Sequence, residues 1–77
     1  MAIYDETSPA GIRVFVDYTD YGGDIYYVVD DYAAGGDTDL GGTLYPGDEE
    51  PGETLEECAV DIGAAVAENE FDDYWHR

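Results

Sequence analysis

The sequence predicts an α+β domain in which a small antiparallel sheet of about three strands packs against one C-terminal helix. Three observations carry this expectation. Two neighbouring segments alternate apolar and polar residues around a paired-glycine turn. A later segment repeats its apolar residues at helical spacing behind a capping pattern, and a polar connector bearing Pro51 and Gly52 separates the two regions. At 77 residues there is room for a single domain, 1–77, with one small core.

In the first strand, over 12–19, Ile12, Val14, Val16 and Tyr18 alternate with Arg13, Phe15, Asp17 and Thr19. The second covers 24–32 and is rich in β-branched and aromatic residues, with Ile25, Tyr27 and Val29 on one side and Tyr26, Val28 and Tyr32 on the other. Between them Asp20, Tyr21, Gly22 and Gly23 supply the positive φ angles of a tight hairpin. Residues 33–39 read as a loop and 40–45 as a weaker third strand, interrupted by Gly41 and Gly42 and ended by Pro46 and Gly47.

The helix is expected over 54–69. Thr54 with Glu57 three residues on is a capping box, and Leu55, Cys58, Ala59, Ile62, Ala65 and Val66 share one face. At about 100° per residue Asn69 would land on the apolar face and Phe71 on the acidic side, so the helix should end near Asn69. Residues 70–77 then form a tail whose Phe71, Tyr74 and Trp75 are candidates for either core or interface.

Charge narrows the function classes. Twenty residues are Asp or Glu, Arg13 and Arg77 are the only positive ones, and the formal charge is -18 with no lysine. A folded domain of this length is about 30 Å across, and a piece of duplex DNA that long carries about 18 charges. A 44% hydrophobic, 14% aromatic chain with periodic apolar segments is expected to fold, unlike a disordered acidic tail. Binding to nucleic acid through phosphate contacts is disfavoured because those contacts come chiefly from Lys and Arg, and basic proteins are the natural partners.

Catalysis is not expected. The single histidine, His76, sits at the chain end. The single cysteine, Cys58, lies on an apolar helix face, where carboxylates would raise its pKa, and no nucleophile has an evident base. For metal, Asp37, Asp39 and the acids at 48–50 are the best local candidates, but no calcium-loop pattern is present, and no cofactor or dedicated metal site is expected. The lone cysteine fits a reducing compartment, and no leader-like or membrane-length apolar run is present, so the expected location is the cytoplasm.

On the expected helix Glu53, Glu57, Asp61, Glu68 and Asp72 project within about 100° of one another at axial steps of about 6 to 10 Å, comparable to phosphate spacing along a DNA strand. Any amphipathic helix in so acidic a chain would carry an acidic outer stripe, so the stripe alone does not establish mimicry. More telling is the spread of acids: Asp17, Asp20, Asp24, Asp30 and Asp31 surround the hairpin, and three more occupy the connector. Eight tyrosines accompany them. Tyr26 and Tyr27 are adjacent and therefore face opposite sides of the sheet, so one points away from a core built against one helix. A tyrosine beside aspartates suits arginine recognition, the ring stacking and the carboxylate pairing.

The helix acids from Glu53 to Asp72, the hairpin aspartates and the missing lysines together resemble the small acidic DNA-mimic inhibitors of phages and mobile elements, which include anti-CRISPR and anti-restriction proteins. The likeness is one of size, charge and layout over the whole chain, without a motif that transfers functional residues. It implies stoichiometric inhibition of a host defence complex, a CRISPR effector foremost, by occupation of its basic DNA groove in the bacterial cytoplasm. The expected contact residues are Glu57, Asp61, Glu68, Asp30, Asp31, Asp20, Asp24 and Tyr26.

The rival reading is a small acidic protein adapted to strong salt. The two separate on a salt series followed by far-UV circular dichroism. A DNA mimic is folded at about 0.1 M salt, whereas a salt-adapted domain unfolds there and folds only near molar salt.

Overall fold

The computed structural model describes residues 2–20 and 22–75, with side chains described through Phe71. The chain forms four strands, β1 (Tyr4–Thr7), β2 (Ile12–Tyr18), β3 (Ile25–Asp31) and β4 (Gly36–Leu44), followed by one helix, α1 (Leu55–Trp75). The strands make one antiparallel sheet in the order β1-β2-β3-β4, so each pairs with its neighbour in sequence, and α1 covers one face. The α+β architecture is as expected, with one strand more than expected.

Strand alternation assigns the faces. Ile12, Val14 and Val16 of β2 and Ile25 and Val29 of β3 are essentially inaccessible, and Leu44 of β4 joins them. From the helix come Cys58, Ala59 and Ala67, with Gly63 also buried. The sheet thus supplies the large side chains and the helix the small ones. An added Cβ at Gly63 would sit 2.9 Å from Val14 Cγ1, so the helix lies against β2 at a distance that only glycine permits. The line of small residues from Ala59 to Ala67 also explains a correction. Ile62, expected in the core, is 37% exposed and Ala65 is exposed, because the contact runs along positions 59, 63 and 67 and leaves 62 and 65 on its margin.

Strand β1 was not expected, since Tyr-Asp-Glu-Thr carries almost no apolar signal. It is an edge strand held by its backbone pairing with β2, by Tyr4 packed against the core, and by Asp5, whose carboxylate receives Arg13 Nε at 2.8 Å and Nη2 at 2.7 Å. The turn into β2 has the order Ser8-Pro9-Ala10-Gly11, which is the residue preference of a common four-residue turn. It is closed by the Gly11 N–H on the Ser8 carbonyl at 2.9 Å, and Gly11 takes φ 92°.

The third expected strand begins earlier than its residues advertise. Gly36 to Asp39 belong to β4 and not to a loop, but the register slips between Val29 and Asp30, so Leu40 faces Val29 while Asp37 faces Asp30. Thr38 Oγ1 donates to the Val29 carbonyl across this bulge, and Asp39 adopts φ 59°. Gly42 makes room for a neighbour, since a Cβ there would lie 3.1 Å from the Tyr27 ring.

The expected helix start is present. Thr54 N–H donates to Glu57 Oε1 at 3.2 Å, and Glu57 N–H donates to Thr54 Oγ1 at 3.1 Å. The expected end at Asn69 is not. The helix runs on and breaks its geometry at Phe71, where φ is -132° and ψ 34°, before continuing to Trp75. In a straight helix Phe71 would stand about 40° past Ala67, on the margin between the contact line and the acidic row. With the break at that residue, Phe71 is half-buried against the core. The side chains of Tyr74, Trp75 and Asp72, together with Tyr21 and His76, lie outside the described residues.

Two predictions follow from this packing. Gly63→Val should destabilise the domain by about 2 to 3 kcal/mol in urea unfolding, and adding Val14→Ala should cost less than the two changes separately. Arg13 holds Asp5 below the ordinary aspartate pKa of 3.8, chiefly through its hydrogen bonds; desolvation opposes this, and the Arg13 charge adds to the lowering. A depressed carboxylate stabilises above its unfolded value and ceases to do so as pH falls through its folded one. Asp5→Asn should therefore melt lower than Asp20→Asn, an equal charge removed from an exposed turn, at pH 7, and the gap should close in acid below 3.8.

Candidate functional site

Of the acids expected to contact a partner, Glu57, Asp61 and Glu68 lie on the helix and Asp30 on the far side of the sheet. On α1, Glu57, Asp61 and Glu68 are all exposed. At about 100° per residue they fall within about 40° of one another and centre about 140° around the helix from the line of Ala59, Gly63 and Ala67. The row therefore faces outward and to one side of the helix, clear of the sheet contact. Glu57 has a second task, because its carboxylate closes the helix N-terminus through Thr54. The positive end of the helix dipole also favours Glu56 and Glu57 in the first turn.

The other surface is the open face of the sheet, which α1 does not touch. Arg13, Phe15 and Asp17 of β2, Tyr26, Val28 and Asp30 of β3, and Asp37 of β4 alternate onto it. The Phe15 and Tyr26 rings lie with centroids 6.0 Å apart at 42°. The Arg13 guanidinium carbon sits 4.9 Å from the Phe15 ring centre while its nitrogens hold Asp5, and Nη1 reaches the Tyr32 hydroxyl at 3.4 Å. These contacts hold the Arg13 pKa above its ordinary value, the Asp5 hydrogen bond being the foremost cause.

Asp31 does not join either surface. It is 4% exposed, and its Oδ1 accepts from the N–H groups of Ala33 and Ala34 at 3.1 and 3.2 Å, capping the short helical turn Tyr32–Ala34. Its expected contact role gives way to a structural one, because an inward-facing position at the end of β3 buries it. Asp20 is exposed and Asp24 half-buried in the turn that joins β2 to β3.

Much of the remaining acidity serves turns. Asp17 accepts from the Tyr18 N–H, Asp37 from Asp39, Asp48 from Tyr45 and Glu49 from Gly47, at 2.8 to 2.9 Å. Glu56 accepts from the Tyr18 hydroxyl, and this bond leads desolvation and nearby carboxylates in raising the Tyr18 pKa. Cys58 pins the connector to the helix: its Sγ receives the Glu50 N–H at 3.3 Å and its thiol donates to Glu53 at 3.2 Å. The Glu50 N–H pulls the thiol pKa down, but the Glu53 hydrogen bond, burial and the charges of Glu53 and Glu50 outweigh it and leave the pKa raised. The thiol is held protonated, the opposite of an activated nucleophile.

Among the described residues no three His, Cys, Asp or Glu side chains converge to hold a metal ion, and no helix is long and apolar enough to cross a membrane. Two features escape sequence reasoning. The Arg13–Asp5 pair depends on β1, whose residues do not announce a strand. The apposition of Asp30 with Asp37 depends on the bulge in β4, and only the unusual Asp-Thr-Asp run ahead of Leu40 hints at it. Comparison with protein-family models, with curated proteins and with solved structures gave no match to this chain.

Proposed function

We propose that this protein is a non-catalytic, acidic DNA-mimic inhibitor that occupies a basic nucleic-acid-binding groove of a host defence complex, a CRISPR effector foremost, and keeps DNA out. The observation that carries the reading is the exposed row of Glu57, Asp61 and Glu68 on a folded body with a formal charge of -18 and a longest dimension of 34 Å. A duplex 34 Å long carries about 20 charges, so the protein matches the charge of the DNA it would replace. Asp61 and Glu68 are 7 residues apart, about 10 Å along the axis, a spacing that arginines and lysines arranged for a phosphate backbone can meet. Such a target places the protein in the bacterial cytoplasm, where Cys58 stays reduced.

The test is a DNA-binding assay on purified restriction and CRISPR effector complexes with increasing amounts of this protein. One complex should lose DNA binding at a stoichiometric ratio, and the inhibition should weaken steeply as salt rises. The triple change Glu57→Gln, Asp61→Asn and Glu68→Gln removes three charges while glutamine preserves the capping box. It should lower affinity for the target by about tenfold or more without loss of thermal stability. Full inhibition by that variant would disprove electrostatic mimicry through the helix.

A further inference from the structure

We infer that the open face of the sheet is an arginine-reading surface, a docking site for a partner protein that presents arginine side chains. The β3 and β4 half of this face holds a shallow trough of about 640 Å³ lined by Tyr26, Val28, Asp30, Asp37, Asp39 and Gly41, with no helix residue among its walls. Gly41 has no space for a Cβ, which would meet the Tyr27 carbonyl oxygen at 2.6 Å, so the floor stays bare.

Two observations point to a guanidinium as the guest. The first is that the neighbouring half of the same face already holds one. Arg13 is clasped by a carboxylate through two hydrogen bonds, lies over an aromatic ring and touches a tyrosine hydroxyl. The trough offers the same kinds of group, an aromatic ring in Tyr26 and carboxylates in Asp30 and Asp37, with no cation among the described residues. Asp30 is the direct cross-strand neighbour of Arg13, yet Arg13 turns to Asp5 instead.

The second observation is that Asp30 and Asp37 stand directly opposite each other across β3 and β4. Like charges in that position repel, and a guest cation between them removes the repulsion. Arginine fits better than lysine because its planar fork can pair with both carboxylates and stack on a ring. Tyr26 has Asp17 as its own cross-strand neighbour and lies four residues, about 13 Å, from Asp30 along the strand. The face therefore accommodates two arginines at that separation, one over Tyr26 and one between Asp30 and Asp37. A second copy of this chain is a poor occupant, since it brings a charge of -18 and an Arg13 already engaged.

The inference rests on the reading of the partner as a basic protein but uses the face opposite the acidic helix row. Its test is a titration of the whole isotopically labelled chain with arginine and lysine oligopeptides of equal length, followed by backbone amide shifts. The arginine peptide should bind at least about fivefold tighter than the lysine peptide, with the largest shifts at Tyr26, Val28, Asp30 and Gly41. Tyr26→Thr should bring the arginine affinity down to the lysine level. Asp30→Asn should weaken arginine binding and raise the melting temperature of the free protein. Equal affinities, an absence of shifts, or shifts centred on Glu57, Asp61 and Glu68 would each overturn the inference. The last of these results would leave mimicry through the helix standing, and failure of the triple helix variant to lose inhibition would leave this face standing. Should Tyr26→Thr not fold, the shift map of the unaltered protein decides.

Discussion

The close seat of α1 on the sheet sets the terms for every other feature of the domain. Apolar burial has to outweigh repulsion among twenty acids in a chain with two arginines, and among the described residues only nine hydrophobic ones are buried to do it. Placing β-branched side chains on the sheet and Ala59, Gly63 and Ala67 on the helix lets the layers approach until the Val14 methyl groups fill the space that a helix side chain would take. Rigid rotamers in the sheet lose little side-chain entropy on burial, and alanine and glycine in the helix have none to lose. The same seat fixes the direction of the acidic row, because the side of the helix opposite the contact has nowhere to point but outward.

The acids themselves fall into two populations. Some complete the backbone: Asp31, Asp37, Asp48, Glu49 and Glu57 each accept an N–H that a turn or helix end leaves unpaired. Others, such as Asp30 and Asp61, present their charge to the surroundings. A high count of carboxylates is therefore not a measure of the binding surface. Glu57 and Asp37 belong to both populations, and the outward-facing charge lies on two faces of a body whose shortest dimension is 20 Å.

What the residues disclose and what they hide has a consistent physical cause. Strands β2 and β3 are legible because one face of each is buried and alternation records it, and the helix start is legible because Thr54 and Glu57 are a local pair. Strand β1 is hidden because its partners are backbone groups and a distant arginine. The first part of β4 is hidden because a bulge breaks the alternation that would reveal it. The helix end is half legible: the geometry does change near the expected end, but as a local break at Phe71 in place of a stop. For the site, exposure of Tyr26 follows from the Tyr26-Tyr27 pair alone. Burial of Asp31 and the facing of Asp30 with Asp37 depend on register, which alternation in single strands does not specify.

The order β1-β2-β3-β4 has a consequence for how such a chain assembles. Every strand joins the one made just before it, across turns of a few residues, so no pairing has to wait for remote segments to meet through solvent. In a polymer whose distant parts repel, long-range encounters are the slow and costly ones. A meander avoids most of them by adding like-charged segments singly, each beside a neighbour already tethered to it, and leaves one larger docking step, the arrival of the helix, for the end of the sequence.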